Sequence, residues 1–275
     1  MSCPKSSLAS ISLGFVSASL LLCSVAAGAQ ISHPESVQVS PPLMRTTDPP
    51  AQGASVADLE AQADKLRASK LYLDALDYYR AALAKHQSAA LLNKVGITEL
   101  MMQRYREAHK SFERSIKVDP MFADAYNNLG VVFYEEKRYG PAVKQYRKAI
   151  AIDSNSASFF SNLGAALFSK KEFDPAVVAY QQALELDPEV FERTSRGGVQ
   201  AQLPSPQDRA RYDYTVAKLY AKMGFSDRSL EYLKKAQEEG YRELKNVYKD
   251  VEFAELRKDK RFTELMTAKT VALPE

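Results

Sequence analysis

A fixed period of 34 residues runs through the middle of this chain. Asn-Leu-Gly at 128–130 returns at 162–164, and Lys94-Val95-Gly96 lies one period before the first copy. Ala108, Ala142 and Ala176 keep the same spacing. So do Phe112, Tyr146 and Tyr180, and then Ser115, Ala149 and Ala183. Pro120 and Pro188 stand two periods apart, with Ser154 between them. Self-similarity at such a period means that one small unit is stacked several times. One unit cannot bury its own apolar face, so neighbours must complete each other's core.

Each mark has a physical reason within a pair of antiparallel helices. In the unit 123–156, Tyr126, Leu129, Gly130 and Phe133 fall at i, i+3, i+4 and i+7, one face of a first helix, A. Glycine in a helix interior costs roughly 1 kcal/mol relative to alanine. Its return at 130 and 164 therefore implies close backbone approach rather than propensity. Ala142 and Ala149 are the matching small residues on the second helix, B, and Tyr146 is expected to fill the space between units. Asp119-Pro120 and Asp187-Pro188 punctuate helix B and lead into the next unit.

Period and marks together resemble the tetratricopeptide repeat (TPR) family. The resemblance implies an all-α fold: a right-handed TPR superhelix, or α-solenoid, of about five helix-turn-helix repeats with a C-terminal helical cap. The repeats fall at about 56–88, 89–122, 123–156, 157–188 and 210–243. The first is one residue short and carries Ala63, Ala75, Tyr79 and Ala82 at the marked places; the last carries Ala217, Tyr220, Ser229, Leu233 and Ala236. An insertion, 189–209, interrupts the array with Gly197-Gly198 and Pro204-Ser205-Pro206 as turn formers. It is either a loop over the groove or a connector that reorients the last helix pair. Residues 244–275 form a cap and tail, where Phe253, Leu256-Arg257 and Arg261-Phe262 resemble the ending of some bacterial TPR proteins. The charges from Arg257 to Arg261 read as a solvated outer face.

The N-terminus carries the pattern of an export signal over 1–29. Lys5 precedes an uncharged apolar run from Ile11 to Val25, followed by Ala27-Gly28-Ala29, with small residues at the cleavage positions before Gln30. Cleavage after Ala29 is expected, which places the mature protein in the periplasm or outside the cell; contact with a membrane is expected only if the signal stays uncleaved. Leu22 before Cys23 argues against lipid attachment, where a small residue is wanted. Cys3 and Cys23 are the two cysteines of the chain, and both precede this site, so neither disulfide nor thiol chemistry is expected of the mature protein. Residues 30–54 hold Pro34, Pro41, Pro42, Pro49 and Pro50 and read as a disordered, extended linker.

Composition narrows the chemistry. A net charge of +3 from 37 Lys+Arg and 34 Asp+Glu gives no global case for nucleic acid. Gly is sparse, at 11 residues, and no P-loop, H-E-x-x-H, G-x-S-x-G or glycine-rich dinucleotide turn is present. The three histidines, His33, His86 and His109, are too far apart to suggest a metal site. The expectation is a non-enzyme without cofactor or metal, whose partner is a protein or peptide.

In the TPR family helix A lines the inner groove. The corresponding residues are Asn93, Lys94 and Ile97, then Asn127, Asn128 and Val131, then Ser161, Asn162 and Ala165, and finally Tyr214, Thr215 and Lys218. Asn127, Asn128 and Asn162 resemble the asparagine ladder with which some TPR superhelices hold a peptide main chain. An amide donates and accepts, so it can pair with any backbone. The competing expectation is that these asparagines follow the repeat pattern and bind nothing. The basic residues of a carboxylate clamp are missing from Asn93, Ile97, Asn127, Val131, Ser161 and Ala165. These residues point to a peptide-binding scaffold of the bacterial envelope, or else to a structural component of an envelope assembly that uses the convex face or the solenoid ends.

Overall fold

The computed structural model describes residues 45–191 and 206–268, and these residues hold eleven α-helices, three 3₁₀ turns and no strand. The expected signal at 1–29, the linker up to 44, much of the insertion and the last residues of the tail lie outside the described residues. Ten helices form five antiparallel hairpins: α1 (Val56–Ala68) with α2 (Tyr72–Lys85), α3 (Ala89–Met101) with α4 (Tyr105–Val118), α5 (Ala123–Glu135) with α6 (Tyr139–Ile152), α7 (Ala157–Ser169) with α8 (Phe173–Leu186), and α9 (Pro206–Lys222) with α10 (Ser226–Glu238). Successive hairpins stack through α2–α3, α4–α5 and α6–α7. The helix α9 starts four residues earlier than the repeat frame expects.

Every hairpin turns in the same way. Lys70, Gln103, Lys137 and Lys171 adopt φ of 58–66°, and Gly224 takes the equivalent place at 82°. The N–H of the next residue then reaches back into the last turn of helix A. The Arg104 amide donates to the Glu99 carbonyl at 2.9 Å, and Arg138 does the same to Phe133 at 2.8 Å. That is a Schellman closure, which satisfies carbonyls at the end of helix A. A second device recurs at the end of helix B. The carboxylates of Asp119, Asp153 and Asp187 each accept from the amide two residues on at 2.9 Å, making turns that direct the chain onward.

The repeated glycines mark a very close contact within each of the three central hairpins. A Cβ placed on Gly96, Gly130 or Gly164 would lie 2.5–2.6 Å from the ring of Phe112, Tyr146 or Tyr180 respectively. Tyr146 thus covers the glycine of its own hairpin, because helix B brings it directly over helix A. The hydroxyls of Tyr146 and Tyr180 are fully buried, with no hydrogen-bond partner among the described residues.

Residues 45–54 depart from the disordered linker expected of them. They lie along α2, and Asp74, only 3 % exposed, accepts from the amides of Thr46 and Thr47 at 3.1 Å each and from the Thr47 hydroxyl at 2.9 Å. Burial opposes ionisation of Asp74, but these bonds outweigh it and hold the carboxyl below the usual range.

At the other end, the turns Leu244–Tyr248, Val251–Phe253 and Leu256–Lys258 and the helix α11 (Lys260–Thr267) bury Val247, Phe253, Leu256 and Phe262. Arg257 was expected on a solvated face. Its guanidinium instead donates to the carbonyls of Val247 and Asp250, both at 2.9 Å, and knots the cap together. Arg261 pairs with Asp227 of α10 at 2.6 Å and so ties the cap to the last hairpin.

Two outcomes are expected at the Gly130–Tyr146 contact. Gly130→Ala should lower stability by about 1–3 kcal/mol through overpacking. Tyr146→Phe should raise it by about 1 kcal/mol, because the buried unpaired hydroxyl is removed and Phe112 already fills the equivalent place. Denaturant midpoints that move in the same direction for both would contradict the contact.

A pH dependence is expected from Asp213 in α9. Burial, reinforced by Glu239, pushes its carboxyl up to about 7, against Lys235 and Arg209. The folded state then binds this proton more tightly than the unfolded chain, so stability should rise as pH falls through 7 towards 4. Asp213→Asn should reduce that rise and match or exceed the wild-type melting midpoint at about pH 8. Equal pH slopes for the two proteins would remove Asp213 as the cause.

Candidate functional site

The fifth, sixth and ninth residues of each helix A share a face, and the structure shows what that face does. In α5 they are Asn127, Asn128 and Val131; in α3, Asn93, Lys94 and Ile97; in α7, Ser161, Asn162 and Ala165. All eight predicted groove residues among them, with Lys94 set apart, are no more than 7 % exposed. The asparagines are engaged with one another. Asn128 Nδ2 donates to Asn93 Oδ1 at 3.0 Å, Asn127 Nδ2 to Asn128 Oδ1 at 3.2 Å, and Asn162 Nδ2 to Asn127 Oδ1 at 3.0 Å. The structure therefore brings Asn93, Asn127, Asn128 and Asn162 together as a buried amide chain that laces three hairpins. Ile97, Val131 and Ala165 join the apolar core beneath it.

One register governs these bonds: the sixth residue of one helix A reaches the fifth of the previous one. The α1–α3 junction keeps the register and changes the chemistry. Lys94 Nζ lies 2.7 Å from Glu60 and 2.6 Å from Asp64. Burial alone would lower its ionisation point, but the two carboxylates hold it above the usual lysine range.

The lacing changes at α9. Thr215, its sixth residue by the repeat frame, turns back and donates to the Arg211 carbonyl at 2.9 Å. The fifth, Tyr214, donates to Asp250 of the cap at 2.9 Å. The ninth, Lys218, sits 3.0 Å from Asp250 and 3.4 Å from Glu252. These residues line an open cavity of about 410 Å³. Phe173, Val177 and Gln181 of α8 make one wall, and Tyr241, Asn246, Asp250 and Glu252 the other. A second cavity of about 500 Å³ continues along α9 past Gln207, Asp208 and Ala210. Phe173, Arg211, Tyr241 and Glu243 border both. Arg211 stands between the two, its guanidinium 4.3 Å from the centre of the Phe173 ring.

Sequence reasoning named Tyr214, Thr215 and Lys218 but missed the walls. Those come from α8, the helix B that precedes α9, and from the turns after α10, which lie outside the repeat frame. The electrostatics are closely matched. Burial and the bond to Asp250 raise the ionisation point of Tyr214, and the carboxylates hold Lys218 charged against its burial. Lys222 has the neutral Gln181 as its partner, at 3.2 Å. No group of three or more metal-ligating side chains occurs among the described residues, and no helix there is long and apolar enough to cross a membrane.

The tetratricopeptide-repeat pattern matches residues 96–157 and again residues 157–190. Residues 96–190 of this chain are tetratricopeptide repeats. The TPR array is similar to several solved structures. MamA shares 23% identity, with 64% of this chain and 93% of that one covered and a TM-score of 0.45. TTC0263, a thermophilic TPR protein from Thermus thermophilus, shares 20%, covering 78% of this chain and 100% of that one, with a TM-score of 0.48. YrrB, described as a TPR protein with an unusual peptide-binding site, shares 20%, covering 68% and 87%, with a TM-score of 0.45. No curated protein matches the chain.

The amide chain generates its own test. Asn127→Ala removes a donor to Asn128 and the acceptor of Asn162, leaving buried amide groups unpaired. It should cost about 1–3 kcal/mol of stability. A wild-type denaturant midpoint for this variant would show that the asparagines are not needed to lace the hairpins.

Proposed function

We propose that this TPR protein is a non-catalytic interaction scaffold of the bacterial cell envelope, and that it holds an extended peptide segment of a partner protein along the inner face of α9. One observation carries the site: the groove-facing residues of α9 border open cavities, while those of α3, α5 and α7 are spent on lacing their own hairpins together. From Gln207 to Lys222 the lined face spans about 22 Å at about 1.5 Å per helical residue. An extended chain at about 3.3 Å per residue places six or seven residues there. Aromatic rings, amides and paired charges offer both contact area and hydrogen bonds along that length. The envelope location is supported by Lys5, the apolar run Ile11–Val25 and Ala27-Gly28-Ala29.

The test compares residues 30–275 with the same chain carrying Thr215→Trp, which fills the cavity, as baits in native envelope extract. Both must show equal helicity. A protein retained by the first and reduced at least about tenfold with the second is the expected result. Equal retention would move the contact to the convex face or the solenoid ends. Sequencing of the exported chain should begin at Gln30; a start at Met1 would remove the cleaved form from the proposal.

A further inference from the structure

The outer face of α2 carries residues that the repeat does not require. Its periodic marks, Ala75, Tyr79 and Ala82, point into the core and are fully buried. Asp74, Asp77, Tyr78 and Lys85 are particular to this helix. The next repeat has Glu107, Lys110, Ser111 and Val118 at the same places, and the one after has Pro141, Lys144, Gln145 and Ile152.

Those four side chains hold one segment, residues 45–54, which runs open to Pro50 and closes in a turn at Gln52-Gly53, where the Ala54 amide donates to the Ala51 carbonyl at 3.1 Å. Asp77 pairs with Arg45, and Asp74 takes the amides and hydroxyls of Thr46 and Thr47. The Tyr78 hydroxyl donates to the Asp48 carbonyl at 3.2 Å. Lys85 Nζ donates to the carbonyls of Gln52 at 2.9 Å and Ala54 at 2.7 Å. Most of these contacts go to main-chain atoms, so the helix reads the backbone of the segment, open at Thr46 to Asp48 and turned at Gln52 to Ala54. Arg45 and the two hydroxyls add the side-chain recognition. Pro49-Pro50 lies between the two anchoring points and favours an extended chain before binding, which lowers the ordering cost. The face also has a reason not to stay empty. Among the described residues every hydrogen bond to the Asp74 side chain comes from Thr46 and Thr47, and a carboxylate this buried is costly without donors.

We propose that the outer face of α2 is a peptide-docking surface for an extended basic–hydroxyl–hydroxyl segment followed by prolines, filled in cis by residues 45–54 and open to the same segment of a second copy. In cis the segment is present at millimolar effective concentration, so exchange requires that it first be released. The surface is separate from the α9 cavities, and it stands or falls independently of the function proposed for them.

The experiment uses the full chain with Thr46→Pro and Thr47→Pro, which removes both amide donors and both hydroxyls and leaves α2 unchanged. Faster elastase cleavage after Ala51, a site that the substitutions leave unaltered, reports release of the segment. The probe is a fluorescent synthetic peptide of residues 45–54, followed by anisotropy up to millimolar protein, with a scrambled peptide as control. The released chain should bind the probe at least about tenfold more tightly than the wild-type chain. Adding Asp74→Ala should weaken that binding at least about fivefold, and Lys85→Ala, a surface substitution, should weaken it in the same direction. No binding by the released chain, equal binding of the scrambled peptide, binding indifferent to both α2 substitutions, or an Ala51 site still protected after both proline substitutions would each overturn the proposal.

Discussion

The packing of an aromatic ring onto a glycine sets the geometry on which the array depends. With Phe112, Tyr146 and Tyr180 lying where a Cβ would stand on Gly96, Gly130 and Gly164, the two helices of a hairpin approach as closely as their backbones allow. The outer hairpins keep the approach by other combinations of size. Ala63 in α1 faces the side of the hairpin that carries Tyr79, whose hydroxyl escapes to the Asp64 carboxylate. In the last hairpin Ala217 and the smaller Leu233 hold the marked places, both fully buried. A hairpin of fixed thickness stacks at a fixed offset, and a fixed offset is what a 34-residue period records.

Once the offset is fixed, residues of successive A helices meet in register, and the sequence is free to choose the chemistry at the meeting point. At α1–α3 it is a lysine between two carboxylates, half-buried, where solvent and burial compete. At α3–α5 and α5–α7 it is an amide chain, which is neutral and so avoids the desolvation cost of charge deeper in the array. At the cap it is a tyrosine and a lysine that share the Asp250 carboxylate. The same positions would face a ligand if the helices stood further apart. Distance between neighbouring A helices, rather than residue type, decides whether an asparagine there laces the scaffold or reads a peptide.

The period made the hairpins legible: glycines, small residues and Asp-Pro pairs are local signatures of close approach and of chain reversal, and both act within one repeat. The use of the asparagines was not legible, because an amide that can pair with a foreign backbone can equally pair with another amide, and the sequence does not encode the separation of the helices. The strap on α2 was hidden for a different reason. Prolines in 41–50 speak only of the segment's own conformation, while the donors and acceptors that capture it sit some 30 residues later. A signal was present: Asp74, Asp77, Tyr78 and Lys85 share one helical face and differ from their counterparts in the next repeats. The place of Arg257 was not legible either, because a guanidinium suits solvent and can equally satisfy two part-buried carbonyls at once.

The places where the repeat breaks are also the places where the structure has unspent binding capacity. Inside the regular array the recurring asparagines find their partners in the neighbouring copy, so regularity itself consumes the face that could bind. At α9 the insertion displaces one copy, the amide lacing gives way, and Tyr214, Thr215 and Lys218 border a cavity instead of a neighbour. At α2 there is no preceding hairpin among the described residues, and the helix uses non-repeating side chains to capture an extended segment. In both cases the regular hairpins supply rigidity and position, and the irregular positions supply chemistry. A scaffold built on this plan acquires a new partner most readily by altering its ends and its interruption, since a change within the laced centre must first replace a buried hydrogen bond.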